Sequence, residues 1–186
     1  MIRRILVSLI AISTLAACVS LGGLSLFMES VDNGSNTFTS GSVDISTNLP
    51  SAFITADNMA PGDSVTDQVT VSNGGTLELR YAVTTVATNT DLLNLMDALT
   101  LEIRDLGTNC TLFDGNLLYG GTGETLADGF MGDSTPGWDL GDRTLNASAS
   151  EDLCFKVTLP SDAIGPMGAD TTATFTFAAE QTTNNP

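Results

Sequence analysis

The sequence contains no histidine. That absence removes Ser-His-Asp and Cys-His catalysis in their usual forms. It also removes the His-Glu-x-x-His zinc motif and every other imidazole metal site. Lysine occurs once, at Lys156, so no glycine-rich loop carries the lysine that a phosphate cradle needs. Basic residues of any kind number six against 22 acidic ones. A surface of that sign repels nucleic acid and anionic lipid, and neither is an expected partner. Ser, Thr, Asn and Asp fill the polar positions, a mix that suits strands and turns better than long surface helices. Paired carboxylates of the glycosidase kind remain chemically open, but Asp is spread so evenly that no pair stands out. No catalytic residue is named, and the chain is expected not to be an enzyme.

What is present begins with the first 28 residues. Arg3 and Arg4 precede an uncharged stretch from Ile5 to Met28, and the first acid is Glu29. A basic start, an apolar centre and small residues before a polar body describe an export signal. Three processing outcomes fit. Gly23 and Ser25 place small residues for cleavage between Ser25 and Leu26. Leu15-Ala16-Ala17-Cys18 resembles a lipobox, which would make Cys18 an acylated first residue. The apolar stretch is also just long enough to serve as an uncleaved anchor. Cleavage at Ser25 is the preferred reading, with a secreted mature chain. That chain keeps all 22 acids against Arg80, Arg104, Arg143 and Lys156, an excess of 18 negative charges. Its two cysteines, Cys110 and Cys154, are expected to pair in an oxidising compartment. The pairing would add ~3–5 kcal/mol in the chain-entropy picture; two buried free thiols are the alternative.

About 160 mature residues suit a single domain with a real core. Phe38, Val43 and Ile45 mark a first strand region, and Ser51 to Ala56 a second. Ala60-Pro61-Gly62-Asp63 is a turn. Val65, Val69 and Val71 alternate with polar residues, and Asn73-Gly74-Gly75 closes that strand. Leu77, Leu79, Tyr81 and Val83 continue the alternation. Leu92, Leu95, Met96 and Leu99 fall at helical spacing behind a cap at Asn89 or Thr90, predicting a helix of two to three turns. Leu99, Leu101 and Ile103 resume a strand. From Gly107 to Ser150 the chain is glycine-rich, and Leu112-Phe113 and Leu117-Leu118-Tyr119 flank Asp114-Gly115-Asn116 like a small hairpin. Leu153 to Leu159 and Thr172 to Ala179 are clean alternating strands. Short strands, one helical insertion and no βαβ rhythm predict an all-β, jelly-roll-like antiparallel sandwich. The alternation puts Cys154 opposite Phe155, so the disulfide is expected on an outer sheet face. Asp128, Asp133, Asp139 and Asp142 crowd one loop and are the candidate calcium ligands, with a solvated acidic loop as the plainer alternative. Trp138, in the same loop, is expected to be a buried lid over the sandwich rather than a sugar-binding platform.

Longer stretches carry a family resemblance. Leu26 to Glu29, Asn36 to Ile45, Asn58-Met59-Ala60-Pro61-Gly62-Asp63 with Val69 to Gly75, and Leu153 to Pro160 with Thr174 to Thr182 resemble the camelysin and TasA family of exported biofilm-fibre proteins. Archaeal bundling pili are similar in the same way. The resemblance implies a jelly-roll subunit (residues 47–186), a leader (1–25) cut by a dedicated signal peptidase, and an N-terminal donor strand (26–46). That strand would fill a groove in the next copy and so build a fibre or pilus-like homopolymer, with other matrix subunits as further partners. Phe27, Val31, Phe38 and Val43 are the plugs it would offer. Burying four such side chains contributes ~6–12 kcal/mol gross, comparable to a whole domain's stability of ~5–15 kcal/mol. The competing arrangement has this segment folding back as the subunit's own first strand. Some members carry a metallopeptidase label, which a chain without histidine gives no reason to adopt. The rival functions are a Cys18-anchored cell-surface binding module and an extracellular metalloprotease.

Overall fold

A computed structural model describes residues 37, 39–49, 54–163 and 168–185, without the side chains of Asp128 and Phe130. The chain divides into two compact units, Met1–Thr39 and Ser40–Pro186. The second holds all the described secondary structure.

Its strands are β1 (Ile45–Thr47), β2 (Ser64–Asn73), β3 (Leu79–Ala87), β4 (Thr100–Asp105), β5 (Leu117–Tyr119), β6 (Phe130–Met131), β7 (Arg143–Leu145), β8 (Ser150–Thr158) and β9 (Ala173–Gln181). All neighbours pair antiparallel. The first sheet runs β1-β2-β8-β4-β5. In the second, β9 pairs with β3 along its length, and the other side of β3 takes β7 at Leu79–Tyr81 and β6 at Val83–Thr84. The chain crosses between sheets from β2 to β3, β3 to β4, β5 to β6, β7 to β8 and β8 to β9. The expected all-β sandwich is therefore the architecture, and its alternating residues meet in the middle. Val69, Val71, Leu101, Ile103, Leu153 and Phe155 of the first sheet are buried with Leu79, Tyr81 and Val83 of the second. The Phe155 ring lies edge-on to Phe175 at 5.3 Å and tilted to Phe177 at 6.4 Å, a geometry aromatic pairs favour.

Three local expectations are corrected. The helix shrinks to the single turn Leu95–Ala98 (α1). Leu92 and Asn94 adopt left-handed φ of 62° and 58°, because side chains take the backbone donors a helix would use. Asp91 Oδ1 accepts from Leu93 N at 3.0 Å, and Asn89 Oδ1 from Asn94 N at 2.9 Å. Asx groups compete with helices in this way. Leu112 and Phe113 form no strand; β5 pairs instead with β4, and the connecting loop spans residues 106–116. Residues 54–56 are not in a strand either, though Ile54 packs against the core; positions 51–53 lie outside the described residues.

Two polar groups fix the sandwich internally. Asn73 is fully buried at the end of β2. Its Nδ2 donates to the carbonyls of Leu77, Leu145 and Asn146 at 2.8–3.1 Å, and its Oδ1 accepts from Gly75 N at 2.9 Å. One side chain thus ties the β2–β3 turn to the β7–β8 turn and leaves no polar group orphaned. Between the sheets, Tyr81 Oη donates to Glu151 Oε1 at 2.8 Å, and Arg143 pairs with the same carboxylate. Burial, then the Glu151 charge, push the Tyr81 phenol far above its ordinary range, so it stays a neutral donor. We expect Asn73→Ala to lower unfolding free energy by about 1–3 kcal/mol, because the Gly75 amide and three carbonyls lose their partner. Urea denaturation at unchanged m-value checks this.

Candidate assembly site

The subunit edge that could take part in assembly is formed by β1 and β9, which touch across the two sheets. Residues 42–48 are laid along this chain's own β2 and the turn after it. Ser42 O accepts from Thr76 N and Leu77 N at 3.0 and 3.2 Å, Asp44 O accepts from Gly74 N at 2.8 Å, and β1 pairs Ile45–Thr47 with Val71–Asn73. Asn48 extends the pairing, its Oδ1 accepting from Thr70 N at 2.9 Å. Val43 is 37% exposed, while Ile45 packs on the core. Among the described residues β9 pairs only with β3. Its Phe175 and Phe177 face the interior, yet both are only partly buried. The other proposed plugs Phe27, Val31 and Phe38, the Ser25–Leu26 junction and Cys18 lie outside the described residues.

Each sheet carries an outer cover. On the first, Cys110 and Cys154 are joined by a disulfide with Cα atoms 5.2 Å apart. It pins the 106–116 loop to the face of β8 opposite Phe155. Phe113 lies beneath Lys156 Nζ (4.3 Å) and the Arg104 guanidinium (5.0 Å), in cation–π geometry. Gly115 is required there, since a Cβ would stand 1.9 Å from the Asp105 carbonyl.

On the second sheet the cover is the 132–142 loop. Asp142 draws its ends together, with Oδ1 accepting from Asp133 N and Oδ2 from Asp139 N, both at 3.0 Å. Asp133 accepts from Thr135 N at 2.9 Å and Asp139 from Thr135 Oγ1 at 3.3 Å. Three of the four candidate calcium ligands thus bond their own loop. No group of three acidic, cysteine or histidine side chains able to hold a metal occurs among the described residues. The side chain of Asp128 lies outside them. Trp138 is no buried lid: it is 65% exposed, and Leu140 beside it is 90% exposed. The loop's glycines and Asx bonds turn its tip outward, so the covering of the sheet falls to its backbone.

All four basic residues among those described, Arg80, Arg104, Arg143 and Lys156, are paired with glutamate. Arg80, buried on the outer face of β3, donates from Nε to Glu180 Oε1 at 2.6 Å and from Nη2 to the Asn185 carbonyl at 2.7 Å. Glu180 also accepts from Gly137 N and Asn185 Nδ2 at 2.9 and 2.7 Å. It therefore joins β3, the 132–142 loop and the chain's last described turn. Glu102 holds Lys156 at 2.7 Å and Arg104 at 3.3 Å beneath the disulfide loop. The alternation of the sequence puts Arg80 on the face opposite Leu79 and Tyr81 but gives no sign of this hub. A lone arginine between Leu79 and Tyr81 near the start of β3 was the available signal, because it cannot be buried unpaired.

Partial burial pushes the carboxyls of Glu102 and Glu180 up, but bonds and charges outweigh it and hold both below the ordinary glutamate value of 4.5. For Glu102 the partners are Lys156 and Arg104, and for Glu180 they are Gly137, Arg80 and Asn185. A depressed folded pKa contributes stability above the unfolded value, and that contribution is lost as pH falls below 4.5 through the folded value. The thermal midpoint should therefore drop on acidification through that window, and the Glu180→Gln, Glu102→Gln double variant should drop less steeply. A pH series of thermal melts checks this.

The domain of human CEP192 described as an ASH / PapD-like domain (PapD-like domain 7) aligns at 11% identity over 83% of this chain and 96% of that one, with a TM-score of 0.32. No curated protein matches the chain. No helix among the described residues is long and apolar enough to cross a membrane. The profile of the family described as camelysin metallo-endopeptidase matches residues 1–110, more than half of the sequence. The metal such a description implies does not fit the donors present: histidine is absent, Cys110 and Cys154 are bonded to each other, and of the described loop carboxylates Asp133 and Asp142 accept from backbone amides and Asp139 from the Thr135 hydroxyl. By the extent of that match, and with resemblance along its opening strands, the chain belongs to the camelysin family.

Proposed function

We propose that this chain is an exported structural subunit that polymerises head-to-tail into extracellular, cell-surface fibres by donor-strand complementation, without a resident cofactor and without peptidase activity. Family membership supports the export and the kind of role, and the absence of imidazole, with both described cysteines bonded to each other, speaks against hydrolysis. The observation that carries the assembly step is the β1/β9 edge. There two core phenylalanines are incompletely covered and, among the described residues, one side of β9 has no strand beside it. An extended segment added to β9 would gain ladder hydrogen bonds at about 0.5–1.5 kcal/mol each and bury apolar plugs on Phe175 and Phe177.

Since residues 42–47 belong to the subunit's own sheet, the donor is assigned to the part of 26–46 that precedes Ser40, with Phe27, Val31 and Phe38 as plugs. A contact of this type does not close on itself and so propagates a filament. The partner is another copy, with other matrix subunits as further members and a signal peptidase acting once during export. The second reading, a Cys18-lipidated surface module, rests on the Leu15–Cys18 lipobox alone.

Electron microscopy of exported protein with and without residues 26–38 tests the proposal. The full chain should form filaments and the truncated one should remain monomeric with a lower thermal midpoint. Filaments from the truncated chain would overturn it. Mass spectrometry separates the rivals, since an N-terminus at Leu26 or Phe27 supports the fibre and an acylated Cys18 supports the module. With 18 excess negative charges per copy, raised salt or divalent cations should speed growth by screening, and mild acid by protonating carboxylates. Light scattering at graded ionic strength measures that, and equal rates throughout would contradict it.

A further inference from the structure

Three Asn-x-Ser/Thr triplets occur in the chain: Asn33-Gly34-Ser35, Asn109-Cys110-Thr111 and Asn146-Ala147-Ser148. In an exported protein such a triplet marks an asparagine that can accept a glycan, provided its carboxamide is within reach of a transferase. The first triplet lies outside the described residues. The fold treats the other two differently.

At Asn109 the triplet is closed. Its Oδ1 accepts from Leu112 N at 2.9 Å and its carbonyl from Phe113 N at 3.2 Å, while Cys110 beside it is buried in the disulfide to Cys154. Both the carboxamide and the local backbone are committed to the 106–116 loop.

At Asn146 the triplet is open. It forms the turn from β7 into β8, and Asn146, Ala147 and Ser148 are all exposed. The turn is held by its main chain. Ala149 N and Asn73 Nδ2 both donate to the Asn146 carbonyl at 3.1 Å, Asn73 N donates to the Ala149 carbonyl at 2.9 Å, and Ser148 takes a left-handed φ of 60°. None of these bonds uses the Asn146 carboxamide or the Ser148 hydroxyl, and among the described residues neither group has a hydrogen-bond partner. That sets Asn146 apart. All but three of the described asparagines hydrogen-bond through the side chain. Of the three, Asn58 and Asn184 adopt left-handed φ of 54° and 60°, a conformation asparagine tolerates better than most residues. Asn146 does neither, so the fold gives it no structural task. Its surroundings are small as well, with no charged residue from Thr144 to Ser150 on a chain of 22 acids.

We infer that Asn146 is an N-glycosylation site, modified by an oligosaccharide delivered on a lipid phosphate carrier. In the transfer, Asn146 Nδ2 bonds to C1 of the reducing-end sugar. The C1–O bond to the carrier phosphate breaks, the carrier leaves with that electron pair, and one amide proton passes to a base of the transferase. The Ser148 hydroxyl, two residues on, is the group the transferase recognises. β7 lies on one side of β3 and β9 on the other, so a glycan on this turn leaves the free side of β9 open. The inference rests on the proposed export and is independent of polymerisation.

The test is mass spectrometry of the protein recovered from the medium and surface of its native host, reading the N-terminus and the mapped peptides together. The N-terminus reports export separately from the sugar. A processed N-terminus, a glycan on the peptide carrying Asn146 and a bare Asn109 are expected. Asn146→Gln should lose the modification. Ser148→Gly should lose it too, since glycine suits the left-handed φ and keeps the turn while removing the hydroxyl; thermal melts verify that both variants fold. A bare Asn146 on a processed, exported chain, a glycan that persists in Ser148→Gly, or equal occupancy of Asn109 would overturn the inference and leave the fibre reading intact. A chain found only inside the cell would overturn the export reading, and this inference with it.

Discussion

A two-layer sandwich leaves the central strand of each sheet with a second face to satisfy, and that constraint organises this molecule. β3 and β8 are buried on both faces along much of their length. Their inner faces meet through Tyr81, Phe155 and Phe177. Their outer faces bear residues that open water would suit poorly or that need a partner, Ala82 and Arg80 on one and Cys154 on the other. Short strands and tight turns cannot cover them, so the glycine-rich stretch between β4 and β8 does. It supplies the disulfide-pinned 106–116 loop for the first sheet and the Asp-clamped 132–142 loop for the second.

The charges follow from the same arrangement. A chain with so few cations uses every one among its described residues as a fastener. Arg80 and Glu180 sit under one cover, and Glu102, Lys156 and Arg104 sit under the other, where partial desolvation strengthens each pair relative to open water. Arg143 and Glu151 bridge the sheets with Tyr81. Among the described residues no other acid is in an ion pair, which leaves the surface strongly negative. This surface favours separate copies at low salt, so the proposed polymer depends on specific strand addition at the β1/β9 edge rather than on general adhesion.

Family and donor chemistry pull in different directions at one point. The matched family is described by a metallo-endopeptidase, while this chain has no imidazole and its described cysteines are bonded together. A peptidase needs an activated nucleophile or a metal-bound water; a fibre subunit needs only an edge and a plug. The residues at hand suit the second requirement.

Alternation and composition were enough to establish an all-β sandwich, the inward set from Val69 to Phe177, and the loss of histidine chemistry. Period-two patterning depends only on neighbours in the chain, so it is legible without a fold. The helix failed because Asn89 and Asp91 capture local amides, a competition that spacing of leucines does not register. The hairpin failed because Leu117–Tyr119 found β4 rather than the nearer Leu112–Phe113. The burial of Asn73 and the Arg80–Glu180 hub were decided by tertiary structure alone. Asn73 meets carbonyls 72 and 73 residues away, and Arg80 meets its carboxylate 100 residues away. Contacts at that separation exist only once both sheets are assembled, and no local pattern encodes them.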